Sequence, residues 1–272
     1  MPLLPMSPQV FSILSTLVAE RAGLHFDASH AAVFGEKVAA RAVEAGFESL
    51  LDYYYFLRYD DAGQRELANL VEALVVNETY LFRELAPLEI AVADFVTPLV
   101  RQGRRARIWC AACATGEEPH TLAMLLAARG ILDDVELVAS DISAAALARA
   151  RSGRFGRRAL RSDVPAFAQP WLRVDGGTVL LRDELTAAID WRQVNLVDDA
   201  EVGALGVFDV ILCRNVLIYF NDETVRQVVT RLAERMRVGG VLFVGISESL
   251  MRFGSPLRCE EQGGVFLYKK TP

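Results

Sequence analysis

The stretch IWCAACATGEEPHTLAMLL, residues 108–126, decides how the chain is read. A short apolar run, Ile108-Trp109-Cys110-Ala111, gives way to small residues, one glycine (Gly116), the paired acids Glu117 and Glu118, and Pro119. Leu122, Met124, Leu125 and Leu126 follow in a helical pattern. The stretch therefore reads as a strand, a tight turn and a helix. In a parallel sheet, the turn at the carboxyl end of a strand is where a ligand binds. Small residues there let the backbone approach a bulky cofactor. The acids meet a cation far better than a phosphate, and a phosphate-cradling loop would carry more glycine and a lysine. The turn reads as a nucleoside site whose ligand is positively charged, with S-adenosylmethionine, an ammonium and a sulfonium in one molecule, as the candidate.

The 272 residues suit one large domain or two smaller ones. A net charge of −6 argues against a nucleic-acid binder that works through a basic face. The opening MPLLPMSPQVF lacks the charged n-region and long apolar core of a secretory signal. No apolar run is long enough to cross a bilayer. A cytoplasmic protein without membrane insertion is expected. Cys110 and Cys113 form a C-x-x-C, which can be a redox pair or half a metal site. Cys110 falls inside the apolar strand and no second C-x-x-C completes a zinc site, so packing is the expected role. No metal site is expected.

Residues 1–84 read as a helical N-terminal domain. Val10, Ile13, Leu14, Leu17 and Val18 fall at helical spacing, Gly23 marks a stop, and further helical runs are 31–45, 48–58 and 65–84. These residues hold 6 Lys/Arg against 12 Asp/Glu and so carry the whole net charge. Lys37 and Arg41, at i and i+4, are a small basic exception. Residues 85–272 alternate strands with helices, which implies a mostly parallel sheet. Strands are expected at 108–111, 135–140, 189–196, 207–213, 241–245 and 265–269. Helices are expected at 144–151 and 222–237, the second stopped by Gly239-Gly240. Residues 152–188 form an inserted segment, within which 172–181 reads as a hairpin turning at Asp175-Gly176-Gly177. Its edge can recruit a peptide or simply be covered.

Several residues carry chemistry. Asp141, ending the second strand, can bond a ribose or cap the helix after it. Asn195-Leu196 can hold an adenine edge and face, or form a simple turn. Arg214 and Asn215 follow a buried strand and are costly to bury without partners. Tyr219 brings a hydroxyl toward the same crevice or packs in the core. Asn77, Thr79 and Arg83 can lean over the crevice from one helix, or lie on an exposed helix face.

Together the motifs NETYLFRE (77–84), WCAACATGEEP (109–119), ASDIS (139–143), FDVILCRNVLIYF (208–220) and LFVGISES (242–249) resemble the chemotaxis receptor methyltransferases, the CheR family, over nearly the whole chain. The resemblance implies an α/β fold. It comprises a Rossmann-like class I methyltransferase sheet, a small all-α N-terminal domain, and an inserted antiparallel β-subdomain. It implies methyl transfer from S-adenosylmethionine to glutamate side chains of membrane-bound chemoreceptors, giving methyl esters and S-adenosylhomocysteine. Asn77, Thr79, Arg83, Glu117, Glu118, Asp141, Asn195, Leu196, Asn215 and Val216 match its cofactor contacts. Arg83 and Tyr219 match residues that position the substrate carboxylate. The implied partners are receptor cytoplasmic helices and a receptor tail peptide at the 172–181 hairpin. Departures from the family pattern are Leu81, Ala114, His120, Thr121 and Ile246, the last standing where a histidine is usual. The family commonly offers a basic helix to an acidic receptor, and here only Lys37 and Arg41 fit that pattern.

Two alternatives stand beside this reading. One is a non-catalytic S-adenosylmethionine sensor, against which both Arg83 and Tyr219 speak. The other is a methyltransferase acting on another protein, a small molecule or RNA. The balanced charge of residues 85–272, 23 against 23, argues against RNA.

Overall fold

The computed structural model describes residues 4–272 and divides into two compact units. The first runs to Val76 and takes in Tyr219–Asn221; the second holds the rest of the chain. The division falls at Val76, ahead of the expected boundary after Glu84, and the NETYLFRE motif belongs with the sheet.

The first unit is built from helices α1 (Pro8–Ala22), α2 (Ala31–Glu44), α3 (Leu50–Tyr59) and α4 (Gly63–Leu74). Ser7 caps α1 by accepting from the Val10 N–H, and Gly23, at φ 75°, ends it. Leu14, Val18, Phe34, Val38, Tyr53, Leu57 and Leu70 are fully buried at its centre. Glu66 is buried beside that core, where it accepts from the Tyr53 hydroxyl (2.8 Å) and from the Arg41 guanidinium twice (2.6 and 2.7 Å). Phe220 bridges to Leu24, and the His25 N–H donates to the Tyr219 carbonyl at 2.8 Å, which explains why 219–221 belong here.

The expected helix over 65–84 stops at Leu74, where Val75 turns extended (φ −60°, ψ 152°). Beyond it, the backbone finds partners outside a helix. The Leu81 N–H donates to the Ala159 carbonyl at 2.8 Å and the Phe82 N–H to the Thr121 hydroxyl at 3.1 Å. Asn77, Thr79 and Arg83 therefore share no helix face; they follow one another along an extended stretch and a tight turn.

The second unit opens with α5 (Leu85–Ile90), which runs through a π-helical turn into α6 (Thr97–Arg101). Then come β1 (Ala106–Ala111), α7 (Glu117–Ala128), β2 (Val135–Asp141), α8 (Ala144–Arg151) and β3 (Arg154–Gly156). They are followed by β4 (Leu172–Asp175), β5 (Thr178–Leu181), α9 (Asp183–Ala187), β6 (Ile189–Gln193), α10 (Asp199–Gly203) and β7 (Phe208–Cys213). The chain closes with α11 (Asp222–Glu234), β8 (Met236–Phe243), β9 (Arg258–Gln262) and β10 (Val265–Lys269). The seven-stranded sheet has the order β6-β2-β1-β7-β8-β10-β9, parallel from β6 to β8, with β10 and β9 antiparallel. Every residue of β7 is buried, as expected for a parallel strand covered on both faces. The strand order reverses between β1 and β7, so the crevice lies beyond their carboxyl ends.

Gly239-Gly240 lies inside β8, and α11 already ends at Glu234. The strand starts early because Met236 pairs with Phe208 and the Arg237 guanidinium reaches Asp209 on β7 at 3.0 Å. A Cβ on Gly240 would sit 3.0 Å from the Asp209 carbonyl. β9, reading RCEEQ, shows no apolar alternation, and as the edge strand it needs none. β3, β5 and β4 form a separate antiparallel sheet. The β4–β5 turn is Gly176-Gly177, both left-handed (φ 54° and 84°), the two-residue turn that glycines permit.

Candidate active site

Among the described residues, five other than glycine have a left-handed backbone: Phe82, Glu84, Ala112, Ala114 and Asn215. Each such residue costs on the order of 1 kcal/mol or more. All five sit on three loops, 82–84, 112–116 and 214–216, which hydrogen bonds and a buried ion pair tie together at the strand ends. Strain concentrated in this way marks the crevice independently of any motif.

Asp141, buried at the end of β2, holds the turn after β1 in place. One carboxylate oxygen accepts from the Ala114 N–H at 2.8 Å and the other from the Ser143 N–H at 2.9 Å. Ser143 itself caps α8 through the Ala146 N–H. Asp141 therefore supports the start of α8 through Ser143, while its other oxygen holds the turn after β1. Gly116, at φ 92°, ends the turn; a Cβ there would meet the Ala150 methyl at 2.6 Å and the Trp191 ring at 2.9 Å. No other residue fits. Glu117 and Glu118 then open α7, where carboxylates favour the helix dipole. Glu117 is buried and accepts from the Thr115 hydroxyl at 2.7 Å; burial raises its pKa above the ordinary value.

Glu118 belongs to a buried ion cluster. Arg214, with its side chain 2% exposed, donates to Glu118 at 2.7 Å and to Glu84 at 2.8 Å. It also donates to the carbonyls of Arg83 and Glu84 at 3.2 and 3.3 Å. One guanidinium thus fastens the 82–84 turn and the head of α7 to the end of β7. Burial raises the pKa of Glu118, against the lowering effect of Arg214. For Glu84, burial also acts upward, but the hydrogen bond and charge of Arg214 prevail and leave it below its ordinary value. The Arg214 Nε is buried and, among the described residues, donates to no acceptor.

Glu248 plays a comparable part in the loop that follows β8. It is buried, and accepts from the N–H groups of Asn215 and Gly245 at 2.7 Å each and Ile218 at 3.2 Å. This clamp fixes Asn215 in its left-handed conformation, with the half-buried Val216 beside it. Asn195 and Leu196, both buried, follow β6, and the Val194 N–H donates to the Asp141 carbonyl at 3.0 Å. Arg83 keeps its side chain 28% exposed; its guanidinium reaches the Glu78 carbonyl (3.1 Å) and stands 5.7 Å from the Tyr80 ring. Asn77 and Thr79 are half-buried on the stretch leading to it. Tyr219 lies in the helical unit.

On sequence alone Arg214 reads only as a residue needing partners, and Glu84 and Glu248 carry no assigned role. The available signal was an acid inside each of two motifs, NETYLFRE and GISES. The C-x-x-C sits where packing predicts: Cys110 and Cys113 are buried, and burial pushes both thiols well above their ordinary pKa.

His120 shows how the turn is braced from behind. Its ring is buried against Phe155 and Trp191, with Nδ1 2.7 Å from the Gly116 carbonyl and Nε2 3.1 Å from the Thr186 hydroxyl. A carbonyl only accepts, so Nδ1 carries the proton and Nε2 accepts from Thr186. Burial pushes the pKa down to about 4 from the ordinary 6.5. Below pH 6.5 the unfolded chain therefore takes up a proton that the folded chain refuses. Stability is expected to fall by up to about 3 kcal/mol between pH 6.5 and 4 through this group. Urea unfolding of wild type and His120→Phe at pH 7 and pH 5 measures it: the variant should lose less stability across the interval, and equal losses would count against it.

The residues fit S-adenosylmethionine. Acids at the turn suit its cationic end, a carboxylate stands at the end of β2, and a buried amide and leucine follow β6. The fold and this crevice define an S-adenosylmethionine-dependent methyltransferase. Residues 77–263 match the family model described as CheR methyltransferase, SAM binding domain. The chain is 36% identical over 243 residues to chemotaxis protein methyltransferase 2 of Vibrio cholerae, covering 87% of this chain and 84% of that protein. It is 32% identical to the chemotaxis protein methyltransferase of Klebsiella aerogenes over 90% of this chain and 85% of that one. Chemotaxis protein methyltransferase 1 of Pseudomonas aeruginosa is 33% identical, covering 76% and 78%. The chain belongs to the CheR methyltransferase family.

Proposed function

We propose that this enzyme esterifies glutamate γ-carboxylates on the cytoplasmic helices of membrane-bound chemoreceptors, working in the cytoplasm in chemotactic adaptation. The observation that carries the reading is the contrast between two arginines. Arg214 is buried and committed to Glu84 and Glu118, whereas Arg83, one residue from Glu84, keeps an accessible guanidinium for an incoming carboxylate.

The bound cofactor supplies an electrophilic methyl group on a sulfonium. The attacking carboxylate is already ionised near neutral pH, so no general base is required. What the protein contributes is alignment, which can supply on the order of 7–11 kcal/mol, and a site from which water is kept. Arg83 and Tyr219 are the groups proposed to hold the carboxylate. Asn77, Thr79, Arg83, Asn215 and Val216 are proposed to contact the cofactor; Asp141 is assigned to its ribose and Asn195 and Leu196 to its adenine. Glu117 and Glu118 are assigned to its methionine end. The free edge of the β4–β5 hairpin (172–181) is proposed to take a receptor tail peptide as an added strand.

A cation prefers an ionised Glu117, whose pKa burial has raised. Cofactor affinity should therefore fall with decreasing pH earlier than an ordinary glutamate would dictate, and Glu117→Gln should flatten that dependence. Calorimetric titrations between pH 8 and pH 5 test this; parallel profiles for the two proteins would refute it. The reaction is tested with methyl-labelled cofactor and receptor-bearing membranes. Label released as methanol by mild alkali supports a carboxyl ester, stable label contradicts it, and no label favours a cofactor-binding regulator.

A further inference from the structure

The balanced charge of residues 85–272 conceals a strong local imbalance. Residues 149–182 contain eight arginines and two acids, a net +6 within a chain whose total is −6. All eight arginines are exposed. Four of them are engaged. Arg151 donates to the Trp191 carbonyl, Arg161 pairs with Glu78 at 2.7 Å, Arg173 with Asp175 at 3.4 Å, and Arg182 with Glu184 at 3.9 Å. Arg149, Arg154, Arg157 and Arg158 have no carboxylate within ion-pair distance among the described residues.

The segment that carries these four is held to the crevice loops at two points. Ala150, next to Arg149, is the residue against which Gly116 packs. Ala159, next to Arg158, accepts the Leu81 N–H two residues before Arg83. The basic run is thus anchored at one end to the acidic turn and at the other to the Arg83 turn. Meanwhile the two cations of α2 serve the helical unit itself: Arg41 is paired with Glu66 and Glu44, and Lys37 reaches the Leu74 carbonyl at 3.5 Å.

We infer that Arg149, Arg154, Arg157 and Arg158 form the surface on which the acidic segment carrying the reacting carboxylate docks. The inference rests on the carboxyl-methylation reading and names its substrate class, a polypeptide segment with several glutamates. Opposite charge on such a surface steers encounter and sets orientation more than it adds tight binding. Each methyl ester removes one negative charge from the docked segment, so the surface holds an extensively methylated segment less well.

The test uses the full-length enzyme loaded with S-adenosylhomocysteine, a glutamate-rich helical peptide, and the same peptide with glutamines. Wild type should prefer the glutamate peptide, and the triple variant Arg154→Ala/Arg157→Ala/Arg158→Ala should bind it about tenfold more weakly at low ionic strength. The difference should shrink as salt shortens the screening length. Lysines at the three positions should restore most of the affinity, and cofactor affinity should stay unchanged throughout. Equal affinity of wild type for the two peptides, or of the variant and wild type for the glutamate peptide, would overturn the inference; so would a parallel loss of cofactor affinity. A wild type that binds glutamate peptide and receptor membranes through these arginines but transfers no base-labile methyl would sink the carboxyl-methylation reading and leave the docking surface standing.

Discussion

Arg214→Met is expected to destabilise the methyltransferase unit by about 3–5 kcal/mol, the cost of leaving buried carboxylates without their cation. Methionine fills much of the arginine volume, so the loss reads charge and hydrogen bonding rather than a cavity. Glu84 and Glu118 would both be stranded, and the carbonyls of Arg83 and Glu84 would lose a donor. The pH dependence gives a second signature. In wild type, Arg214 holds the Glu84 pKa low, so its contribution is present above the ordinary glutamate range and lost as pH falls. Without Arg214, burial raises both carboxyls, and the variant should recover part of its lost stability as the pH drops and they protonate. The triple variant Glu84→Gln/Glu118→Gln/Arg214→Met should also regain stability, though not cofactor affinity. Urea unfolding at pH 7.5 and pH 5.5 separates these cases; a variant as stable as wild type at both would show that the cluster holds nothing together.

Arg83→Ala should leave the fold intact and lower activity by about one to two orders of magnitude. Its side chain is partly exposed and makes one backbone hydrogen bond, to the Glu78 carbonyl, with a longer 3.8 Å approach to Glu84. Truncation therefore costs little stability. In the proposed reaction the same guanidinium makes charge-assisted bonds to the attacking carboxylate, worth about 1.5–3 kcal/mol. The loss in kcat/KM should be roughly 10- to 150-fold. Arg83→Lys keeps the charge without the planar fork and should fall between. Steady-state kinetics with unfolding controls decide the matter. Unchanged turnover and cofactor affinity in Arg83→Ala would remove this residue from the site.

Much of the architecture was legible because periodicity and turn chemistry agree with it. The alternation of strands and helices, the glycine pair of the β4–β5 hairpin and the Ser143 cap all appear where residue pattern puts them. Legibility failed where tertiary partners override local preference. NETYLFRE has helical spacing, but Ala159 and Thr121 take the Leu81 and Phe82 N–H groups and draw the stretch into a strained turn. Gly239-Gly240 looks like a helix stop, yet it lies in β8, where Gly239 takes φ 83° and a Cβ on Gly240 would crowd the Asp209 carbonyl. The ion cluster was invisible for a different reason: Glu84, Glu118 and Arg214 are far apart in sequence, and only the fold brings their charges together. The basic run of 149–161 was plain in composition but hidden by summing charge over the whole second half of the chain.

In the proposed reaction the methyl group ends on a glutamate carboxylate. Peptide mass spectrometry of receptor-bearing membranes, before and after reaction with enzyme and S-adenosylmethionine, tests it most directly. An added methylene mass is expected on glutamate-containing receptor peptides, localised to the glutamate and erased by mild alkali. A methylene that survives alkali, or that resides on lysine or arginine, would contradict it.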